Sequence, residues 1–227
     1  MSDNTFKQSA PPAQYPTLYL KDLKLCLRGE TLFTNLSLNI SPGEIVTLMG
    51  PSGCGKSSLL AAISGTLESD FSLVGEVFLD DMNLTNLPSE ERHIGMLFQE
   101  DLLFPHMSVS ENLCFGIPAH IKSKKERVSL ISQALKDAGL SEFENRDPAT
   151  LSGGQRARIA VLRTLLSQPR ALLLDEPFSK LDTELRTRFR DFVFRHARAH
   201  NLPTLLVTHD PEDAQSTGGK VIRVSDF

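Results

Sequence analysis

Three apolar runs in the sequence each end directly before residues that can bind phosphate or metal. They are residues 45–49 before Gly50, residues 171–174 before Asp175 and Glu176, and residues 204–207 before Thr208 and His209. Nearly continuous apolar runs are typical of strands in a parallel sheet that is covered on both faces. Because ligands of open α/β sheets bind beyond the carboxyl ends of such strands, we expect these polar residues to meet in one crevice. The pattern predicts an α/β fold built on a mostly parallel core sheet with helices.

A glycine-rich loop follows the first run and leads into a helical pattern. Its predicted nucleotide-binding residues are Gly50, Pro51, Ser52, Gly53, Cys54, Gly55, Lys56, Ser57 and Ser58. Glycines let backbone N–H groups approach phosphates, and the start of a helix favours their negative charge. Lys56 is predicted to contact the β and γ phosphates, and the Ser57 hydroxyl to bind Mg²⁺. ATP and Mg²⁺ are therefore the expected ligands.

Two adjacent carboxylates follow the second run. We expect Asp175 to hold Mg²⁺, directly or through water, and Glu176 to orient and deprotonate the attacking water. On its own, Asp-Glu-Pro after a strand also fits a simple turn. The glycine-rich loop elsewhere in the chain favours the catalytic interpretation.

The stretch Leu151-Ser152-Gly153-Gly154-Gln155 predicts a second anion site. Ser152 is suited to cap the following helix, and the two glycines leave their N–H groups bare where the helix dipole is positive. Ile159, Leu162 and Leu166 follow at helical spacing and are expected to bury one face of that helix. A helix start of this kind binds anions.

Taken in chain order, these motifs resemble the ATP-binding subunit of an ABC transporter over roughly residues 18–224. The resemblance implies a P-loop NTPase cassette over 17–227, with an N-terminal antiparallel β subdomain and an inserted α-helical subdomain at about 100–158. Residues 1–16, which contain three prolines, are interpreted as a disordered tail.

The resemblance also assigns roles to single residues. It implies that Gln99 senses the γ-phosphate through Mg²⁺ and water, that Asp182 contacts the other subunit, and that His209 contacts the γ-phosphate. Two cassettes in the family pack head to tail around two ATP molecules. Residues 152–155 would therefore complete the site of a second copy. Singly, Gln99 and His209 also fit ordinary polar residues at strand ends.

Leu27 departs from the family pattern. Most members carry an aromatic residue at this place, where it stacks on adenine, whereas Leu27 has no ring. Ring stacking contributes about 0.5 to 1.5 kcal/mol. We therefore expect weak discrimination between ATP and GTP.

The helical patterns between Gln99 and the Ser152 stretch include residues 127–138. The resemblance places residues 103–106 near the surface that meets a membrane subunit. Phe104 and Phe115 fit two interpretations equally well, packing in the core or contact with a partner chain.

Composition limits the functional class. With a net charge of −4 and a pI near 5.9, the chain is not expected to bind nucleic acid. No stretch reaches the roughly 18 apolar residues that a transmembrane helix needs, so another chain would form any channel. We expect a peripheral protein on the cytoplasmic face of the inner membrane. Cys26, Cys54 and Cys114 lack the spacing of a zinc site or a disulfide framework.

The resulting hypothesis is an ATPase that energises solute import through separate permease subunits, together with a substrate-binding protein. The sequence most resembles the group that takes up thiamine, ferric iron, polyamines, sulfate and molybdate, and within it the YnjD-like branch. An exporter or lipid-handling cassette is the alternative. A soluble ABC ATPase acting on DNA or ribosomes fits less well, because such proteins usually carry a coiled coil, zinc-binding cysteines or two cassettes.

Overall fold

The structure, a computed structural model, describes residues 15–224. Most of the predicted tail, residues 1–14, lies outside this range; Tyr15 and Pro16 have no regular secondary structure. The strands in the described range are β1 (Leu18–Leu27), β2 (Glu30–Ile40), β3 (Ile45–Met49), β4 (Phe71–Leu79), β5 (Met82–Asn83), β6 (Ile94–Leu97), β7 (Ala171–Asp175), β8 (Thr204–Thr208) and β9 (Val221–Arg223). The α-helices are α1 (Lys56–Ser64), α2 (Val109–Gly116), α3 (Lys124–Asp137), α4 (Gly153–Leu166), α5 (Thr183–Ala199) and α6 (Pro211–Ser216).

The strands form two sheets. An antiparallel sheet has the order β2-β1-β4-β5, and a parallel sheet has the order β6-β7-β8-β3-β9. This confirms the predicted α/β cassette with an N-terminal antiparallel part and a parallel core sheet.

The parallel sheet is covered on both faces, as its apolar strands predicted. Leu172, Leu174 and Leu206 point into one buried cluster, which they share with helices α2 to α5. The alternate residues Leu173 and Leu205 belong to a second cluster, which includes α1 and the antiparallel sheet. Successive side chains of a strand point to opposite faces, so an all-apolar strand is stable only where both faces are buried.

The order of the parallel strands explains why the predicted polar residues meet. β8 lies between β7 and β3, with Asp175 paired to Val207 and Met49 paired to Thr208. The three strands therefore end side by side. Since all three run in the same direction, the residues that follow them share one edge of the sheet.

Helices α2, α3 and α4 follow β6 and pack on one another. Helix α3 begins before the predicted residue 127, because the Ser123 side chain accepts a hydrogen bond from Glu126 N and so caps the helix. Their buried residues belong to the cluster that covers one face of the parallel sheet. The division of the chain at about 100 and 158 into a separate helical subdomain stays a prediction.

No helix in the described range is both long and apolar enough to span a bilayer.

Candidate active site

An open cleft of about 280 Å³ lies at the carboxyl edge of the parallel sheet. From the glycine-rich loop it is lined by Ser52, Gly53, Gly55, Lys56, Ser57 and Ser58. Gln99, which follows β6, and the carboxylates Asp175 and Glu176 line it as well. The structure thus brings together the predicted phosphate-binding, metal-binding and catalytic residues from three separate parts of the sequence.

Two glycines shape the phosphate-binding loop. Gly53 and Gly55 have φ angles of 82° and 90°, a region that side chains with a Cβ rarely adopt. Gly55 precedes α1, and no side chain caps the first N–H groups of this helix. Uncapped N–H groups at the start of a helix are donors for an anion.

Lys56 is held against its own loop. Its Nζ donates hydrogen bonds to the carbonyl oxygens of Gly50, at 2.8 Å, and Pro51, at 2.7 Å. Nζ also lies 3.7 Å from the Cys54 sulfur, and Lys56 is only 6% exposed. These contacts hold the ammonium group within the loop, where phosphate oxygens can replace the carbonyls as acceptors.

Asp175 ends β7 and is only 5% exposed. Burial raises the pKa of this carboxyl group, the hydrogen bond from Ser57 opposes the rise, and the charges of Glu176 and Lys56 act in opposite directions. A carboxylate in contact with a hydroxyl, with the Gln99 amide on the same cleft, supplies oxygen donors of the type that Mg²⁺ prefers. No group of three or more His, Cys, Asp or Glu in residues 15–224 is arranged to hold a metal alone. The donors therefore suit an ion that takes its remaining ligands from water and phosphate.

Glu176 is fixed by its backbone. Its φ angle of 46° is unusual for a residue with a side chain. Its N–H donates to Val207 O at 3.0 Å, and its carbonyl accepts from the Ser179 hydroxyl at 2.9 Å. At the side chain, Oε1 lies 2.8 Å from Nδ1 of His209. His209 does not line the cleft itself and reaches the site through this contact.

The Ser152 stretch lies outside this cleft, at the start of α4. Ser152 Oγ accepts from Gln155 N at 3.2 Å, and Gln155 Oε1 accepts from Ser152 N at 2.9 Å. Such a reciprocal cap follows the pattern S-x-x-Q, which is visible in the sequence, and gives Gln155 a local role beside its predicted nucleotide contact. A Cβ on Gly154 would lie 3.0 Å from Leu181 Cδ2 and 3.2 Å from the Lys180 carbonyl, so a larger residue here would have to displace these neighbours slightly.

Asp182 caps α5 by accepting a hydrogen bond from Leu185 N at 3.0 Å. Asp182 is exposed and is not among the residues that line the cleft. The structure thus gives Asp182 a local role within its own chain. Its predicted contact with another subunit stays a prediction.

An ion-pair network that the sequence did not indicate ties α5 to the segment after His209. Arg186 lies 2.8 Å from Asp210 and 2.5 Å from Asp213, and Arg190 lies 3.1 Å from Asp213. Asp213 is only 1% exposed. Since Asp210 and Asp213 are the N-cap and an early residue of α6, the network fixes the helix that directly follows His209.

The rest of the cleft wall is apolar and consists of Leu27, Leu32 and Phe71. Phe71 was not among the predicted site residues. No local motif identifies it, because it reaches the cleft through the pairing of β4 with β1.

Of the two phenylalanines whose environment was open, Phe115 is 67% exposed and so is not a core residue. Phe104 is half-buried and packs edge-on against Phe115, with ring centroids 4.8 Å apart. The Arg163 guanidinium lies 5.3 Å from the Phe104 ring and donates to the Leu102 carbonyl at 3.0 Å. Leu102 is also exposed. Leu102, Phe104 and Phe115 thus present apolar side chains at the surface, in the part of the chain that follows Gln99.

The sequence profile described as ABC transporter matches residues 33–179. The chain is 49% identical over 196 residues to the uncharacterized ABC transporter ATP-binding protein YnjD of Escherichia coli K12, covering 86% of this chain and 90% of that protein. It is 37% identical to the spermidine/putrescine import ATP-binding protein PotA of Vibrio cholerae, covering 91% of this chain and 54% of PotA. The chain therefore spans about half the length of the PotA relatives that it matches.

Among solved structures, the fold is similar to the ATP-binding cassette MJ0796 in a dimeric post-hydrolysis state bound to ADP and Pi. The TM-score is 0.79 at 31% identity, over 91% of this chain and 93% of that one. A second dimeric structure of MJ0796, a bacterial ABC transporter cassette, gives the same TM-score at 32% identity. With the family profile, the relatives and the fold in agreement, this chain belongs to the ABC transporter family as an ATP-hydrolysing cassette.

Proposed function

We propose that this chain is the ATPase subunit that energises solute import through separate permease subunits. One observation carries the proposal: the cleft gathers the phosphate-binding loop, Gln99 and two carboxylates, whereas the glycine-containing helix start after Ser152 is not part of its lining. A chain with one complete phosphate site and one exposed anion site is suited to pair with a second copy of itself.

In the proposed site, the triphosphate binds along the glycine-rich loop. Lys56 exchanges the Gly50 and Pro51 carbonyls for the β and γ phosphate oxygens, and the N–H groups at the start of α1 donate hydrogen bonds to further phosphate oxygens. Ser57, Asp175 and Gln99 would hold Mg²⁺, which neutralises charge on the phosphates when bound.

Hydrolysis requires a base close to the γ-phosphate. Glu176 takes one proton from water as the water oxygen attacks the γ phosphorus, and the bond to the bridging oxygen of ADP breaks. In the structure, Glu176 Oε1 is already bonded to His209 Nδ1. His209 is largely exposed, so its ring can turn from Glu176 to the γ-phosphate once a nucleotide is present.

The partner site follows from symmetry. In a head-to-tail pair, the Ser152 to Gln155 helix start of one copy would face the γ-phosphate bound by the other, and Asp182 would lie at the contact. The capping box orders this helix start, and the Gly154 N–H is at its positive end. The dimeric state of MJ0796 supports this arrangement.

The exposed surface of Leu102, Phe104 and Phe115 is the proposed contact with a permease. It follows Gln99 along the chain, so a movement of Gln99 on ATP binding would be transmitted to it. This contact would hold the protein on the cytoplasmic face of the inner membrane. Import is favoured over export by the likeness to PotA, named as an import protein, and a substrate-binding protein is the further expected component.

Mixed dimers test the site assignment. One copy carries Lys56→Ala and the other carries Gly154→Asp, so that one of the two composite sites retains both functional parts. Each mixed dimer should hydrolyse ATP at about half of the normal rate, and random pairing makes about half of the dimers mixed. The equimolar mixture should therefore recover about a quarter of the normal rate, while each variant alone is inactive. Failure of the mixture to recover activity would contradict the composite site.

The transport role needs a separate experiment. The chain is purified from membranes, and the proteins that accompany it are identified, with Phe115→Glu as the matched variant. We expect a permease that is lost in the variant. Recovery with ribosomes or DNA would contradict the transport role while leaving the ATPase assignment intact.

A further inference from the structure

We propose that Phe71 supplies the aromatic face on which the base of the bound nucleotide packs. The inference rests on the proposed role of the cleft as the nucleotide site. It adds a binding residue that no sequence motif indicates and that lies on a strand remote from the phosphate-binding loop.

The composition of the cleft wall suggests where the base lies. Apart from Leu27, Leu32 and Phe71, the lining residues are glycines, serines or residues with charged or amide side chains. Glycines, serines and residues with charged or amide side chains suit phosphates and a metal ion. A purine presents two flat apolar faces, so the apolar part of the wall is the part it matches. Phe71 is the one aromatic residue among the lining residues.

The apolar wall is continuous with the phosphate-binding loop. A Cβ on Gly55 would lie 3.0 Å from Leu32 Cδ1, so Leu32 packs directly against the loop. Leu27 and Phe71 are direct partners in the antiparallel sheet. A nucleotide with its phosphates on the loop therefore has Leu32, and then Leu27 and Phe71, available as one surface for its base.

Hydrogen bonds within the chain hold the backbone around Phe71. Phe71 N–H donates to Glu68 O at 3.1 Å, and Arg28 N–H donates to Asp70 O at 3.0 Å. The Arg28 guanidinium also donates twice to Asp70 Oδ2, at 3.0 and 2.6 Å. Phe71 is half-buried and packs against the core cluster of the antiparallel sheet. Because the ring is held by the sheet, little conformational freedom is lost when a base packs on it.

A ring face contacts any purine in the same way, since stacking does not read the base edges. Base–aromatic stacking is lost on alanine substitution at a cost of at least about fivefold in affinity. Phe71 therefore strengthens the binding of ATP and GTP to a similar degree. This agrees with the weak base selectivity expected from Leu27 and assigns the binding strength to a different residue.

The test measures binding of ADP, GDP and pyrophosphate to the full chain by titration calorimetry. We expect Phe71→Ala to weaken ADP and GDP by at least about fivefold each and to leave pyrophosphate unchanged. Phe71→Leu keeps an apolar side chain but no ring, so it should lose most of the same affinity for ADP and GDP. Phe71→Trp keeps a ring and should bind both nucleotides as well as the unaltered chain does. The control is Phe78→Leu, on the same strand but paired with Tyr19, which should bind all three ligands normally.

Two results would overturn the inference. One is unchanged ADP affinity in Phe71→Ala. The other is an equal loss of ADP and pyrophosphate, which would mean that the ring supports the loop instead of the base. Lys56→Ala tests the proposed function separately from the role of Phe71. If this variant binds both ADP and pyrophosphate normally, the cleft is not the nucleotide site and the proposed function fails.

Discussion

The Nδ1 atom of His209 lies 2.8 Å from Oε1 of Glu176, although the two residues are far apart in the sequence. They meet because β7 and β8 are neighbours in the parallel sheet and each residue directly follows its strand. The proposed base is therefore in direct contact with the histidine that is expected to contact the γ-phosphate.

The first prediction concerns the base. Glu176→Gln keeps the size of the side chain and its acceptor oxygen but removes the charge that takes the proton. Steady-state phosphate release should fall by about 10²- to 10⁴-fold. Equilibrium binding of ATP should be retained, because the phosphate-binding loop is unchanged.

Glu184→Gln is the matched control, since Glu184 lies at the exposed start of α5 and pairs with exposed Arg188. It should hydrolyse ATP at the normal rate. If Glu176→Gln retained normal turnover, another group would have to be the base.

The second prediction concerns the network behind His209. Arg186→Met removes the cation that joins Asp210 to Asp213 and leaves the buried Asp213 with Arg190 alone. Removing one partner of a largely buried pair should lower the free energy of unfolding by about 2 kcal/mol. Because α6 loses its anchor next to His209, kcat should also fall while the KM for ATP stays nearly constant.

Denaturant unfolding and steady-state kinetics check this prediction in parallel. Arg188→Met, on the same helix but with an exposed partner, should change stability by less than about 0.5 kcal/mol and leave kcat unaltered. A kcat in Arg186→Met equal to that of the unaltered chain would mean that the network does not position His209.

The third prediction concerns the loop before α2. Asn112 is fully buried; its Oδ1 accepts from Phe104 N at 2.8 Å, and its Nδ2 donates to the carbonyls of Phe104, Met107 and Ser108 at 3.0 to 3.1 Å. Asn112→Ala leaves these groups without their partner and should cost about 2 to 3 kcal/mol in unfolding free energy. Thermal unfolding measures this loss, with exposed Asn83→Ala as a control that should remain near the original midpoint.

The fourth prediction concerns pH. Burial, and next the charge of His200, lower the pKa of His196 from 6.5 to about 4. In the unfolded chain this ring takes up a proton below about pH 6.5, whereas the folded chain resists it down to about pH 4. Stability should therefore decrease as the pH falls through this window. The ring keeps some contact with solvent, so we expect a loss on the order of 1 to 2 kcal/mol.

Urea unfolding of the unaltered chain and of His196→Leu, at pH 7 and at pH 4.5, isolates this contribution. The pocket around His196 is lined by apolar residues, Gln168 and His200, so leucine fits its surroundings. The difference in stability between the two pH values should be smaller in the variant. An equal difference in both proteins would refute the assignment to His196.

Much of the site was predictable because its motifs are local. The glycine-rich loop needs only neighbouring residues to adopt its shape, and Asp175 and Glu176 directly follow an apolar strand. The helix start at Ser152 was also predictable, since its cap and the helical spacing that follows are local in the sequence. The apolar strands also predicted the parallel sheet, because period and composition reflect burial on both faces.

The sequence by itself therefore determined the fold class and indicated which residues of the glycine-rich loop and of the strand ends meet at the cleft. Only the tertiary structure decided which residues surround them. The contact between Glu176 and His209 depends on strand order. Phe71 reaches the cleft because β4 pairs with β1. The ion pair between Arg186 and Asp213 joins α5 to α6. Such contacts join residues distant in sequence, and their energy depends on packing geometry that no local pattern encodes.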